Sequence, residues 1–331
     1  AAALGVTVLI GSGLAMVAGA EPFATLGLIL RGAAGSQFAL LETLNRATPL
    51  IFTGLAVAVA FRAKLWNIGA EAQLYMGAVA TVLLGTGALA WPSAALWPAM
   101  AGAAVLAGAL TLLIPALLKV RLGVDEVVTT LLLNFIILLL VSLLLEGPLK
   151  DPRGMGWPQS PRLIPDARLP RIVDGLRLHW GFALALIAAV GVWLLQTRTT
   201  LGFAMRAVGA NPRAAAYAGI PVGRVVIWTA LISGGLAALA GFSEVAGLRG
   251  NLTRDLSPGF GYTGIIVAML ALLHPLGVVA VAIFVAGVFV GADSMSRAAG
   301  VPSYIADILL ATALLTMVLA LGLTRYRIRW R

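Results

Sequence analysis

Residues 198–224, RTTLGFAMRAVGANPRAAAYAGIPVGR, decide how the chain is read. Long apolar runs flank the segment, yet it carries four arginines and no acid, so it belongs in water. Asn211 is a strong N-cap type, Pro212 suits a first helical position, and Gly219 suits the residue just past a helix end. The pattern predicts a short helix over Arg213–Ala218, fixed at both ends. Such an element is either a solvated connection between two membrane helices or a docking point for a cytoplasmic partner.

The flanking runs set the class. The 331-residue chain is 60% hydrophobic and 11% charged, with mean hydropathy +1.00, whereas soluble domains carry about a quarter charged residues. It reads as an all-α polytopic membrane protein. The absence of cysteine removes disulfides, thiolate metal sites and cysteine nucleophiles. The net charge of +10 does not point to nucleic acid, because the basic residues lie in short loops between apolar runs.

A spanning helix needs about 20 mainly apolar residues. About ten crossings fit, near Ala2–Ala20, Thr48–Ala60, Gly69–Ala90, Leu96–Leu118, Val127–Leu145, Trp180–Leu195, Val225–Ala246, Tyr262–Leu273, Leu276–Ala292 and Tyr304–Leu323. Two of them, Thr48–Ala60 and Tyr262–Leu273, are short. Short cytoplasmic loops accumulate lysine and arginine. With the loop after the second span inside, that face holds twelve basic residues and the opposite short loops only five, Arg31, Arg46, Arg249, Arg254 and Arg297. Both termini and residues 198–224 are then cytoplasmic, and the proline-rich connection 147–179 is external. Six prolines there forbid a long helix and predict an extended cap with one short helical piece, serving as a lid, a landing surface or a plain connector. Spans two to five and seven to ten cover similar lengths in opposite orientation, which fits an inverted repeat with interrupted helices.

Three polar stretches interrupt the apolar runs. In WNIGAEAQ, residues 66–73, Glu71 and Gln73 head an apolar helix, where lipid exposure would cost several kcal/mol. They either line a water-filled path or serve as a helix-start carboxylate and a packing amide. In NLTRDLSPGFGYTG, residues 251–264, glycines permit irregular backbone beside Phe260 and Tyr262, rings that suit a planar polar solute or an interfacial anchor. In VDEVVTTLLLN, residues 124–134, Asp125 and Glu126 open a helix, and Thr130 and Asn134 share a face deeper in it. Asn134 lines the path or joins two helices. Gly234, Gly235 and Gly241 read as close packing. Asp293 and Asp307 sit near external helix ends, where water suffices for them. His179 and His274 are isolated, so no metal site is assigned. No P-loop pattern, zinc-protease pattern or serine–histidine setting occurs, so no catalytic residue is assigned.

Taken together, WNIGAEAQLYMGA (66–78), VDEVVTTLLLNFI (124–136), GWPQSPRLIPDARLP (156–170), LGFAMRAVGANPRAAAYAGI (201–220) and SPGFGYTGIIVAML (257–270) resemble permease subunits of ATP-binding-cassette importers. The branch is that of ribose, branched-chain amino-acid and nucleoside permeases, and the likeness is strongest to nucleoside permeases. The sequence departs from that pattern at Ala72, where glycine is usual, in LALLHP (270–275) and in ADILLATALL (306–315). The resemblance implies a single transmembrane permease domain over residues 1–331 in a bacterial cytoplasmic membrane, moving nucleosides. The alternatives are a simple-sugar permease, a gradient-driven transporter or channel using Glu71, and, least supported, a membrane enzyme.

It further implies that residues 198–224 form the coupling loop on the ATPase, through Arg206, Gly209, Asn211, Pro212, Arg213, Tyr217 and Gly219. The substrate path would pass Asn67, Glu71, Gln73, Asn134, Phe260 and Tyr262. ATP and magnesium would sit on the partner ATPase, with no cofactor on this chain. The other implied partners are a second permease subunit, either a paralogue or a second copy, an extracytoplasmic solute-binding protein, and membrane lipid.

Overall fold

A computed structural model describes residues 21–87, 91–173 and 175–299, with isolated positions at 13 and between 304 and 319. The expected first span, 2–20, lies outside the described residues except for residue 13, and so does more than half of the last, 304–323. The described part is helical, with isolated bridges only at Gln159–Thr253 and Arg171–His179. Eleven helices follow in order: α1 (Pro22–Ala34), α2 (Gln37–Arg62), α3 (Ala70–Gly85), α4 (Ser93–Leu122), α5 (Glu126–Glu146), α6 (Gly181–Arg198), α7 (Thr200–Ala210), α8 (Pro212–Tyr217), α9 (Val222–Ser243), α10 (Phe260–Leu270) and α11 (Pro275–Ala299). α9 continues as a π-helical turn, Glu244–Arg249. Among the described residues, six helices are long and apolar enough to cross a membrane, namely α2, α4, α5, α6, α9 with its π-turn, and α11.

The second span is not short. It runs as one 26-residue helix from Gln37 through Pro49 to Arg62, where the hydropathy pattern predicts a start at Thr48. Gln37, Glu42, Asn45 and Arg46 mask its first turns. The brevity expected of the eighth span is real, since α10 has 11 residues, and α3 has 16.

The chain forms two compact units. In the unit of residues 1–47 and 280–331, Arg46 pairs with Asp293 at 2.6 Å and lies 5.0 Å from the Phe289 ring centre. Asp293 therefore has a protein partner, where the sequence suggests only water. In the unit Thr48–Val279, α3, α4 and α9 meet at small residues. A methyl group at Gly108 would lie 2.3 Å from the Gly234 carbonyl oxygen, one at Gly77 2.2 Å from that of Ala238, and one at Gly241 2.0 Å from that of Leu74. Backbones this close give helix pairs the packing contact that apolar lipid cannot supply by exclusion. The outer face of α5, with Leu132, Phe135, Ile136, Leu139 and Leu143, stays exposed.

The connection 147–179 has the expected extended form, with one 3₁₀ turn at Pro165–Ala167. It is tied down by backbone hydrogen bonds from Ser160 to Leu252, Leu163 to Gly250, Leu169 to Ala246 and Ile164 to Gly85.

Candidate functional site

A helix that begins within an apolar body leaves backbone donors and acceptors that only protein or water can satisfy. Among the described residues two such beginnings occur, and they meet. α2 ends at Arg62, Lys64 turns the chain at φ 53°, and residues 65–68 run without helical structure to the start of α3 at Ala70. α10 begins at Phe260 after an irregular segment that closes with Gly259 at φ 91°. A methyl group on Gly261 would stand 2.3 Å from the Glu71 amide nitrogen, so the two helix starts are in backbone contact.

α5 supplies the missing partners for residues 66–72 from one face, at Glu126, Thr130 and Asn134, each four residues apart. Trp66 N donates to Glu126 Oε1 at 3.2 Å, and Ile68 N donates to Thr130 Oγ1 at 3.3 Å. Asn134 accepts from Ala72 N at 2.9 Å and donates to the Ile68 carbonyl at 2.9 Å and to the Tyr262 hydroxyl at 3.1 Å. Lys119 Nζ donates to the same Glu126 carboxylate. Asp125 caps α5 by accepting from Val127 N at 2.7 Å.

The six expected path residues gather around this junction in different ways. Asn67 and Gln73 form a reciprocal amide pair at 2.9 and 2.8 Å, and Asn67 also reaches Ser233 Oγ at 3.0 Å, itself bonded to the Ala56 carbonyl. Glu71 Oε2 accepts from Gly261 N at 2.7 Å, so this carboxyl group caps the other chain segment's helix. Phe260 is buried, and its carbonyl accepts from Thr53 Oγ1 at 3.0 Å. Asn67, Gln73 and Asn134 are fully enclosed, and Glu71 nearly so. Tyr262 differs, being 40% exposed while Asn134 fixes its hydroxyl.

Sequence reasoning missed several members of the cluster. Tyr75 is one: its hydroxyl donates to the Arg254 carbonyl at 2.6 Å and accepts from Ser257 N at 3.2 Å, pinning the irregular segment before α10. Ser257 Oγ in turn accepts from Phe260 N at 2.9 Å. The Glu126 and Thr130 roles had a visible signal in their spacing from Asn134. Ser233, Tyr75 and Thr53 had none beyond being polar within apolar helices.

The second region is residues 198–224. The short helix forms one residue earlier than its pattern predicts, Pro212–Tyr217. Asn211 Oδ1 accepts from Arg213 N and Ala214 N at 3.0 and 3.1 Å, and Gly219 has φ 81°. Arg213 is exposed and Tyr217 is 98% exposed. Arg206 is exposed and donates to the Gln196 carbonyl. Gly209 is buried, and a methyl there would lie 2.0 Å from the Arg62 carbonyl oxygen, which ties α7 to the end of α2.

His179, in the connection 147–179, is fully enclosed. Its Nδ1 accepts from Gly181 N at 3.1 Å, and its Nε2 has no hydrogen-bond partner among the described residues. Burial pushes its pKa down to about 4, so the ring is neutral near pH 7. Among the described residues, no group of three or more His, Cys, Asp or Glu is placed to hold a metal ion.

Residues 39–323 match the family described as branched-chain amino acid transport system / permease component. A glucose ABC transporter permease protein, TsgB13 of Haloferax volcanii, is 37% identical over 96% of this chain and 86% of its own length. A guanosine ABC transporter permease protein, NupP of Bacillus subtilis, is 36% identical over 92% and 88%. A nucleoside ABC transporter permease protein, NupB of Lactococcus lactis subsp. cremoris, is 29% identical over 92% and 85%.

Proposed function

The chain belongs to the permease-component family of branched-chain amino acid transport systems, and from that premise we propose that it forms the nucleoside path of an ABC importer. It is a multi-pass membrane protein and an importer permease subunit. On this reading ATP and magnesium bind a separate ATPase chain, a second permease completes the path, and an extracytoplasmic binding protein delivers solute to the 147–179 face. The termini and residues 198–224 face the cytoplasm.

The nucleoside reading is carried by Tyr262, whose partly exposed ring is held by Asn134 where two helices begin. A fixed aromatic face favours a flat base over a saturated sugar ring, at about 1–3 kcal/mol per stacked base. The names of NupP and NupB point the same way. The enclosed residues Asn67, Gln73, Glu71 and Asn134 shape this wall and hold its backbone, with their polar atoms already engaged. Coupling runs from α8, exposed for docking, through the tight Gly209–Arg62 contact into α2.

A sugar reading is favoured by one observation, the glucose permease at 37% identity. Competition assays on the reconstituted importer separate the two. Tyr262→Leu is expected to weaken guanosine transport by roughly tenfold, the loss of one stacking contact, and to leave glucose transport unaltered. Tyr262→Phe is expected to retain most guanosine transport. Glucose transport exceeding guanosine transport in the wild type refutes the nucleoside assignment.

A further inference from the structure

A groove of about 440 Å³ lies beside residues 198–224, away from the helix-start junction. It is lined from three directions, by Thr200 and Phe203 of α7, by Ile220 of the turn after α8, and by Arg224, Val225 and Trp228 of α9. Its two ends differ in chemistry. Phe203 and Trp228, 61% and 54% exposed, present open aromatic faces beside Val225 and Ile220. Arg224, one helical turn before Trp228, is exposed, and among the described residues neither its guanidinium nor the Thr200 hydroxyl has a hydrogen-bond or ion-pair partner.

The position fixes the surroundings. Of the apolar helices long enough to span a membrane, one ends at Arg198 and the next begins at Val222, so a bilayer crossed by both helices would have its edge at the groove. Exposed tryptophan concentrates at that depth. Residues 198–224 hold four arginines and no acid, leaving the local field positive. A bilayer offers such a groove a molecule with a negative phosphate head and an apolar tail.

We propose that this groove binds an anionic phospholipid. Its phosphate is held by Arg224 and Thr200, and its acyl chains run along Phe203, Val225 and Trp228. Because Ile220 and the α8 turn form one wall, an occupied groove stiffens the base of the docking helix. The proposal does not depend on which solute is transported.

The test uses the full chain purified in zwitterionic detergent and titrated with phosphatidylglycerol or phosphatidylcholine, with retained lipid counted by native mass spectrometry. The wild type is expected to retain phosphatidylglycerol more tightly. Arg224→Gln is expected to lose about fivefold of that affinity, the contribution of one basic side chain near a lipid surface, while binding phosphatidylcholine as before. Arg224→Lys is expected to keep most of it, and added salt to narrow the difference. Equal retention of both lipids by the wild type, or unchanged phosphatidylglycerol binding in Arg224→Gln, overturns the proposal. Because the chain has no cysteine, Phe203→Cys gives a single reporter in the complex assembled with its ATPase. Labelling by a lipid-linked maleimide supports the lipid assignment, whereas cross-linking to the ATPase means that a protein covers the groove and overturns it.

Discussion

Replacing Gly261 with alanine tests the meeting of two helix starts with little change in chemistry. The added methyl would lie 2.3 Å from Glu71 N, 2.7 Å from Glu71 Cα and 2.8 Å from the Ala70 carbonyl carbon, all backbone atoms that cannot rotate aside. Ordinary contact begins at 3.4 Å, so the helix starts must separate by about 1.1 Å (3.4 − 2.3). That carries the 2.7 Å bond from Gly261 N to Glu71 Oε2 out to about 3.8 Å, beyond hydrogen-bond range. Losing a hydrogen bond to a buried carboxyl group costs about 1–3 kcal/mol, and overpacking adds about 1–3 kcal/mol. Gly261→Ala should therefore lower stability by about 2–6 kcal/mol, read by reversible unfolding in mixed micelles titrated with dodecyl sulfate. Glu71→Gln keeps an oxygen to accept from Gly261 N and should cost only about 1 kcal/mol. The reasoning is refuted if Gly261→Ala unfolds within about 1 kcal/mol of the wild type, or if Glu71→Gln costs as much as Gly261→Ala.

Two further expectations follow from other parts of the molecule. Gly209→Ala would press a methyl to 2.0 Å from the Arg62 carbonyl oxygen. It should cost about 1–3 kcal/mol and raise the ATP hydrolysed per solute moved, measured in proteoliposomes. His179 is held neutral, with its pKa lowered from 6.5 to about 4. The unfolded chain takes up a proton below pH 6.5 that the folded chain takes up only near pH 4. The stability it contributes is therefore whole above pH 6.5 and falls by about 3 kcal/mol as pH drops to 4. His179→Gln should flatten that slope in unfolding titrations run across the window.

The short capped helix within residues 198–224 was legible because its signals are local. Asn211, Pro212 and Gly219 act on backbone within four residues of themselves, and the structure moves the helix by one residue only. Close packing at Gly234, Gly235 and Gly241 was legible for a similar reason, since a missing side chain matters wherever helices cross. The true start of α2 was hidden because hydropathy reads Arg46 as a loop residue, while the fold pairs it with Asp293, 247 positions away. The candidate path was half legible. Polar residues at a helix head announced that something interrupts the apolar body, but partners such as Tyr75 and Ser257 lie 182 positions apart in sequence. Glu126 was read as opening its own helix, and only the course of residues 66–72 beside it shows that it also completes a neighbour's backbone.

If the proposed function holds, this chain moves nucleosides only when a separate ATPase acts through α8. Uptake of labelled guanosine into proteoliposomes, with the ATPase and binding protein present, tests it most directly when the wild type is run beside a Pro212, Arg213 and Tyr217 triple substitution. The expected result is ATP-dependent guanosine uptake by the wild type, and loss of that uptake in a triple variant whose unfolding curve is unchanged. Guanosine uptake driven by an ion gradient without the ATPase, or full ATP-coupled uptake by the triple variant, would contradict it.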